Sequence, residues 1–281
     1  MKKDSSNMIE PNYIESDRDD ITLVQITDTH LFAEDEGELL GVNTLSSFSA
    51  VVADIENQAL DYDALIMTGD VSQDHTDASY ANFEQCIAPL KKPCYWLPGN
   101  HDYQPSMKSV YPSTQIQQDT HLLVGKYWQV ILLDSQAEGS PHGFLTEQQL
   151  QYLSDCLSEY PDRFSLVLLH HHPLLVGSQW LDQHCLHNSD AFWKILEPFN
   201  YVKAVLCGHV HQDFHQVHQG VEVLTSPSTC IQFKPQSNDF ALDKVAPGWR
   251  SLILKANGQL DTKVYRLEGE EFLPNFEAQG Y

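Results

Sequence analysis

Positive charge is scarce in this chain: Lys and Arg number 16 against 39 Asp and Glu, a formal net charge of −23 over 281 residues. A surface of that sign repels a nucleic-acid backbone, so a polymeric nucleic acid is disfavoured as a partner, and most of the acidity is read as serving solubility. Long hydrophobic runs are also missing. No segment approaches the roughly 18 consecutive apolar residues of a membrane-spanning helix, so no membrane association is expected. Cysteines stand at 86, 94, 156, 185, 207 and 230 without a C-x-x-C pair, the pattern of reduced thiols in a cytoplasmic protein. Residues 1–20 are polar and partly acidic with no apolar stretch. They are expected to be a disordered tail rather than a secretory signal or an anchor. No linker, internal repeat, low-complexity stretch or heptad pattern interrupts the remainder, so 21–281 is expected to form one domain.

Histidine, by contrast, is abundant at 14 residues, and several of these join carboxylates and an amide in a fixed order. Asp28 and His30 come first, then Asp70, then Asn100, then a histidine of the run His170-His171-His172, then His209 and His211. Nearly every rung sits where a hydrophobic run ends, and strand ends are where α/β enzymes place their chemistry. The runs 21–27, 64–68, 94–97, 164–169 and 204–207 deliver, in turn, Asp28-Thr29-His30, Gly69-Asp70, Pro98-Gly99-Asn100-His101-Asp102, the triple histidine and Gly208-His209-Val210-His211. Glycines 69, 99 and 208 each stand beside a ligand candidate, where a missing Cβ allows a tight turn and a close approach of backbone to an ion. The donors are carboxylate, amide and imidazole with no thiolate. Such a set suits Fe, Mn, Zn or Co better than a soft or an all-oxygen site.

Helices are expected between these strands over 43–60, 77–90, 146–160 and 188–199, with N-cap side chains at Asn43, Asp77 and Thr146. Strand alternating with helix through residue 207 indicates an α/β fold. Runs 221–225, 249–254 and 262–267 look like further strands, expected as a second sheet packed on the first.

Each rung has an ordinary reading as well. A strand-terminal Asp commonly caps the next turn, and an Asn in a glycine turn is commonplace. Two histidines at i and i+2 in Gly208-His209-Val210-His211 project to one side, which is more specific. Five such blocks in this order are not expected by chance. In the triple run only one imidazole need bind metal, because adjacent strand residues face opposite ways. His75, His121, His142, His184, His187, His215 and His218 are expected in loops or on the surface, with His184 and His187 candidates to line a substrate pocket. Trp180, His184 and Phe233 could stack on a base or could be core residues.

In these blocks the chain resembles the calcineurin-like metallophosphoesterases, whose signature is Asp-x-His, Gly-Asp, Gly-Asn-His-Asp/Glu, a lone His and Gly-His-x-His. The resemblance covers residues 22 to about 225. It implies a four-layer α/β/β/α sandwich and two divalent or mixed-valent metal ions, Fe and/or Mn with Zn or Co as options. One ion would be held by Asp28, His30 and His211 and the other by Asn100, His171 and His209, with Asp70 bridging. His171 is selected because the family's lone His stands two residues before a proline, here Pro173. Purple acid phosphatases carry a tyrosine where this chain has Gln73. Protein Ser/Thr phosphatases carry arginines that grip a phosphate dianion, and these are replaced around Gln73-Asp74-His75 and at Pro98, which points toward a phosphodiester monoanion.

Segments outside the metal blocks are similar to the bacterial class III 3′,5′-cyclic AMP phosphodiesterases: His170 to Leu174, Trp180 to His184, Ser228 to Pro235 and Ala246 to Arg250. That likeness implies hydrolysis of 3′,5′-cyclic AMP to 5′-AMP by in-line attack of a metal-bridging hydroxide. His30, Asp70, Asn100, His101 and His211 would contact substrate, and His101 would protonate the departing 3′ oxygen. Asp102 would either orient His101 or merely solvate the loop. The alternatives are a broader phosphodiesterase acting on glycerophosphodiesters or 2′,3′-cyclic nucleotides, and a non-enzymatic scaffold of the same fold, which would be expected to show broken ligand blocks.

Overall fold

The computed structural model describes residues 10–278 and residue 280. In chain order the first elements are β1 (Asn12–Ile14), β2 (Ile21–Ile26), β3 (Glu38–Leu39), β4 (Val42–Asn43), α1 (Thr44–Asn57), β5 (Ala64–Met67) and α2 (Asp77–Ile87). There follow β6 (Cys94–Trp96), α3 (Gln104–Val110), β7 (Ile116–Gln117), β8 (His121–Val124), β9 (Trp128–Leu132), α4 (Glu147–Glu159) and β10 (Phe164–Leu169). The last are α5 (Gln179–Asp182), α6 (Ser189–Leu196), β11 (Val202–Cys207), β12 (Phe214–His218), β13 (Val221–Thr225), β14 (Gly248–Leu254) and β15 (Leu260–Arg266). Asn43 and Thr146 cap α1 and α4 as expected, accepting from Ser46 N and Gln149 N. For α2 the cap is Thr76 rather than Asp77, which becomes the first helical residue.

Two large sheets form, one ordered β15-β14-β2-β5-β6-β7 and the other β1-β8-β9-β10-β11-β13-β12. Strand period sorts each central strand into two packing layers. Ile66 of β5 and Leu168 and Leu206 of β10 and β11 point between the sheets, into one shared core. Their neighbours point outward. Leu65 and Met67 meet Phe48, Ile55, Tyr80 and Phe83 of α1 and α2, while Val167, Leu169 and Val205 meet Leu153, Phe192 and Leu196 of α4 and α6. Burial on both faces explains why these parallel strands read as unbroken apolar runs. The result is the four-layer α/β/β/α sandwich expected from the sequence.

Three expectations are corrected. The strands near the chain's end do not make a separate second sheet: β13 pairs with β11, whereas β14 pairs with β2. The second sheet is instead built around β8 to β11, and its β8–β9 hairpin carried no ligand signal to mark it. Of the polar segment 1–20, residues 1–9 lie outside the described residues. Asn12–Ile14, expected in the disordered tail, pair in parallel with β8 and bury Ile14, which gives the sheet edge a partner. His121, expected in a loop or on the surface, is 2% exposed in β8, whereas His215, on β12, is exposed as expected. All six cysteines are free thiols, in keeping with the expectation of reduced cysteine. Among the described residues no helix is long and apolar enough to cross a membrane.

Candidate metal centre

Parallel β2, β5 and β6 in one sheet and β10 and β11 in the other deliver their following residues to one end of the sandwich. Asp28, His30, Asp70, His209 and His211 there have φ between 47° and 65°, in the left-handed region that costs a side-chain-bearing residue about 1–3 kcal/mol. Interlocking hydrogen bonds hold them in it. Asp28 N donates to Gly69 O and His30 N to Asp70 O, each at 3.0 Å. His209 N, from the opposite sheet, donates to both oxygens of Asp28 at 3.1 Å. A Cβ on Gly99 would overlap the Asp70 carboxylate, and one on Gly208 would overlap Thr27 Oγ1, so both positions require glycine for close approach.

The ligand candidates gather into buried clusters. Asp28, His30 and His211 bring their donor atoms within 4.8 Å of one another. His30 Nε2 lies 3.3 Å from His211 Nε2, which is 3.3 Å from Asp28 Oδ1. His171 and His209 form a second group with His170, and Asp28, Asp70 and His170 a third that joins the two. Asp70 Oδ2 stands 4.0 Å from His30 Nε2 and 3.2 Å from His170 Nε2, between the two ends of the site. Asn100 Oδ1 also lies 3.2 Å from His170 Nε2.

These residues suit a metal on three observations. The Nε2 atoms of His171 and His209 are buried with no hydrogen-bond partner, which is costly unless something else accepts their lone pairs. Nδ1 of His30, His171 and His211 is tied to Gln73 Oε1, Ser135 Oγ and Ile231 O, at 2.8, 2.8 and 2.9 Å, which turns Nε2 toward the site. Burial pushes His30 down to about 3 against the pull of Asp70, and lowers His171 and His209 well below the usual imidazole range. Neutral imidazole is the form that ligates.

His170 is the residue that the sequence reading passed over. Because β10 stops at Leu169, alternation no longer applies to the triple run, and all three rings crowd His209 at centroid distances of 5.1, 4.9 and 5.7 Å. Burial opposes charging His170, but the Asp70 carboxylate raises it to about 9. Asp70 is held well below the carboxylate range, against its own burial, by the charges of His170 and His101. Its position as the first residue past an apolar run was the available signal.

His101 N donates to Asp70 Oδ1 at 2.8 Å, and its ring meets His30 edge-on at 5.0 Å. It lines a cavity of about 510 Å³ with Asn100, His209, Trp180, His184 and Phe233. His184 is therefore at the pocket as expected. His187 instead stacks on His142 at 3.7 Å, and His75, expected among the bystanders, joins the lining. Phe233 is 2% exposed and stacks on His211 at 4.3 Å, a packing role that supports a ligand candidate.

Asp102, expected to orient His101 or to solvate its loop, is buried and serves as a clamp. Its Oδ1 accepts from Val71 N, Ser72 N and Tyr80 Oη, and its Oδ2 from Gly99 N. Burial and the Asp70 charge raise it to about 7 against these bonds.

Residues 21–213 match the family model described as calcineurin-like phosphoesterase. The chain is 57% identical over 261 residues to the 3′,5′-cyclic adenosine monophosphate phosphodiesterase CpdA of Vibrio vulnificus, covering 93% of this chain and 95% of that one. It is 46% identical, with the same coverage, to the protein of the same description from Escherichia coli K12. A dimetal phosphatase from Danio rerio shares the fold with a TM-score of 0.57 at 14% identity, over 88% of this chain and 98% of the other. The family-model match over residues 21–213, with 57% identity across 93% of the chain, identifies the chain as a member of the calcineurin-like phosphoesterase family.

Proposed function

We propose that this chain is a metal-dependent hydrolase that converts 3′,5′-cyclic AMP to 5′-AMP. One observation carries the reading: the chain is 57% identical to a protein named for that activity, in a match that covers 93% of this chain and 95% of that one. Asp28, His30 and His211 would hold one ion, Asn100, His171 and His209 the other, and Asp70 would bridge them. His170 borders the second group as the partner of Asp70, 3.2 Å from its Oδ2. The ions, drawn from Fe, Mn, Zn and Co, would supply Lewis acidity and counter-charge for the phosphodiester at neutral pH.

The protein's own groups do the rest. His30, Asp70, Asn100, His101 and His211 border the place of the phosphate, and the backbone bond from His101 to Asp70 fixes the His101 ring at the cavity wall. His101 donates a proton to the departing 3′ oxygen. Trp180, His184 and Phe240 line the outer cavity, where a purine would lie. We further propose that residues 21–281 work as one domain and that the enzyme is cytoplasmic, a location its six free thiols suit. The scaffold alternative is disfavoured because all seven ligand positions carry competent side chains.

The test is turnover by metal-analysed protein of 3′,5′-cyclic AMP, 2′,3′-cyclic AMP, a glycerophosphodiester and a simple monoester. Highest kcat/KM for 3′,5′-cyclic AMP with about two metals per chain is expected. Preference for another diester would discard the substrate and retain the site, in favour of the broader phosphodiesterase.

A further inference from the structure

The end of β9 carries no ligand block, yet it touches both halves of the site. Ser135 Oγ lies 2.8 Å from His171 Nδ1. The next residue, Gln136, reaches across the sandwich to the loop that follows β6. Its Nε2 donates to Gly99 O at 2.8 Å and to Asp102 O at 2.5 Å. Those two carbonyls bracket Asn100 and His101, so one amide pins both ends of the segment bearing the proposed acid. The amide is itself fixed. Gln136 N donates to Asp134 Oδ1 at 2.9 Å, and Gln104 Nε2 donates to Gln136 Oε1 at 2.9 Å and to Asp134 Oδ2 at 2.7 Å. Lys108 Nζ donates to Gln104 Oε1 at 2.9 Å, anchoring the chain of bonds on α3.

We propose that Gln136 is a positioning residue for His101, and that Gln104 supports it. The inference rests on the reading of His101 as the proton donor. Asp102 restrains the loop from the β5 side, through Val71 N and Ser72 N, and closes it on itself through Gly99 N. Gln136 restrains it from the opposite sheet. With only one of the two anchors the loop can pivot, and a displacement of about 1 Å at a catalytic group costs up to about 100-fold in rate.

Leaving groups separate this role from general support of the fold. An alkoxide such as the 3′ oxygen needs a proton on departure, whereas para-nitrophenolate does not. In metal-loaded Gln136→Met, kcat for 3′,5′-cyclic AMP should fall about 10- to 100-fold with KM nearly unchanged. Turnover of bis(para-nitrophenyl) phosphate and metal content should stay within about threefold of the parent enzyme. Placed in a His101→Ala background, Gln136→Met should add no further loss on cyclic AMP. Equal loss on both substrates, loss of metal, or additive effects would overturn the proposal. If Gln136→Met does not fold, Gln104→Met is expected to show the same selectivity at smaller size, and a uniform loss or none overturns it equally. An enzyme that cleaved the aryl diester but not cyclic AMP would remove the proposed substrate alone. The comparison would then be run on aryl diesters of graded leaving-group basicity.

Discussion

At the scale of single residues, the site is defined by which nitrogen each histidine presents. His30, His171 and His211 each give Nδ1 to a neighbouring oxygen and keep Nε2 for the interior. His101 differs, being fixed by its backbone N–H to Asp70 and placed at the cavity wall. His101→Ala should therefore retain both metals, by elemental analysis, while kcat on a cyclic nucleotide falls about 100-fold or more. Unchanged kcat would remove His101 from the chemistry. Away from the site, His121 is lowered by burial, against a hydrogen bond from its Nε2 to Gln129. The unfolded chain takes up that proton near 6.5 and the folded chain only at lower pH. Stabilisation from keeping His121 neutral is thus complete above that value and fades as pH falls through it. The Tm of wild type should lose its advantage over His121→Gln between about pH 7 and pH 5, and a constant difference would rule this linkage out.

At the scale of elements, the working unit is a strand end followed by a short turn. Close contact between the turn at Gly69-Asp70 and the turn at Gly99-Asn100 leaves no room for a side chain at Gly99. Gly99→Ala should leave secondary structure intact by circular dichroism but displace Asp70 or Asn100. Metal content is expected to fall by about one ion per chain, with activity falling at least tenfold. Full occupancy with normal turnover would show that the two turns can separate without harm. Left-handed φ values recur at five ligand candidates in these turns. That strain persists because bonds from both sheets hold it, as in the pairing of His209 N with Asp28.

At the scale of the molecule, two sheets share one core, and the donor cluster closes one end of it. Metal binding to the folded state alone would add about 2.7 kcal/mol when free metal exceeds its dissociation constant 100-fold. Chelation should lower Tm by several degrees, and readdition should restore it. A Tm indifferent to chelator would argue that the ligand cluster is stable without an ion.

The linear chain determined the ladder of donors, the α/β alternation and the family, because each ligand block follows an apolar run long enough to mark a strand end. Asp28, His30, Asp70, Asn100, His209 and His211 could be named without coordinates for that reason. Only the tertiary structure decided how strands divide between sheets, since β13 pairs with β11 and β14 with β2 in different sheets. It alone placed His170 against Asp70, because whether alternation extends past Leu169 depends on where pairing with β9 and β11 ends. The inward turn of Asp102 and the reach of Gln136 to Gly99 and Asp102 likewise join residues tens of positions apart. Local periodicity carries no information about contacts at that separation, because strand pairing within a sheet and packing of one sheet on the other create them.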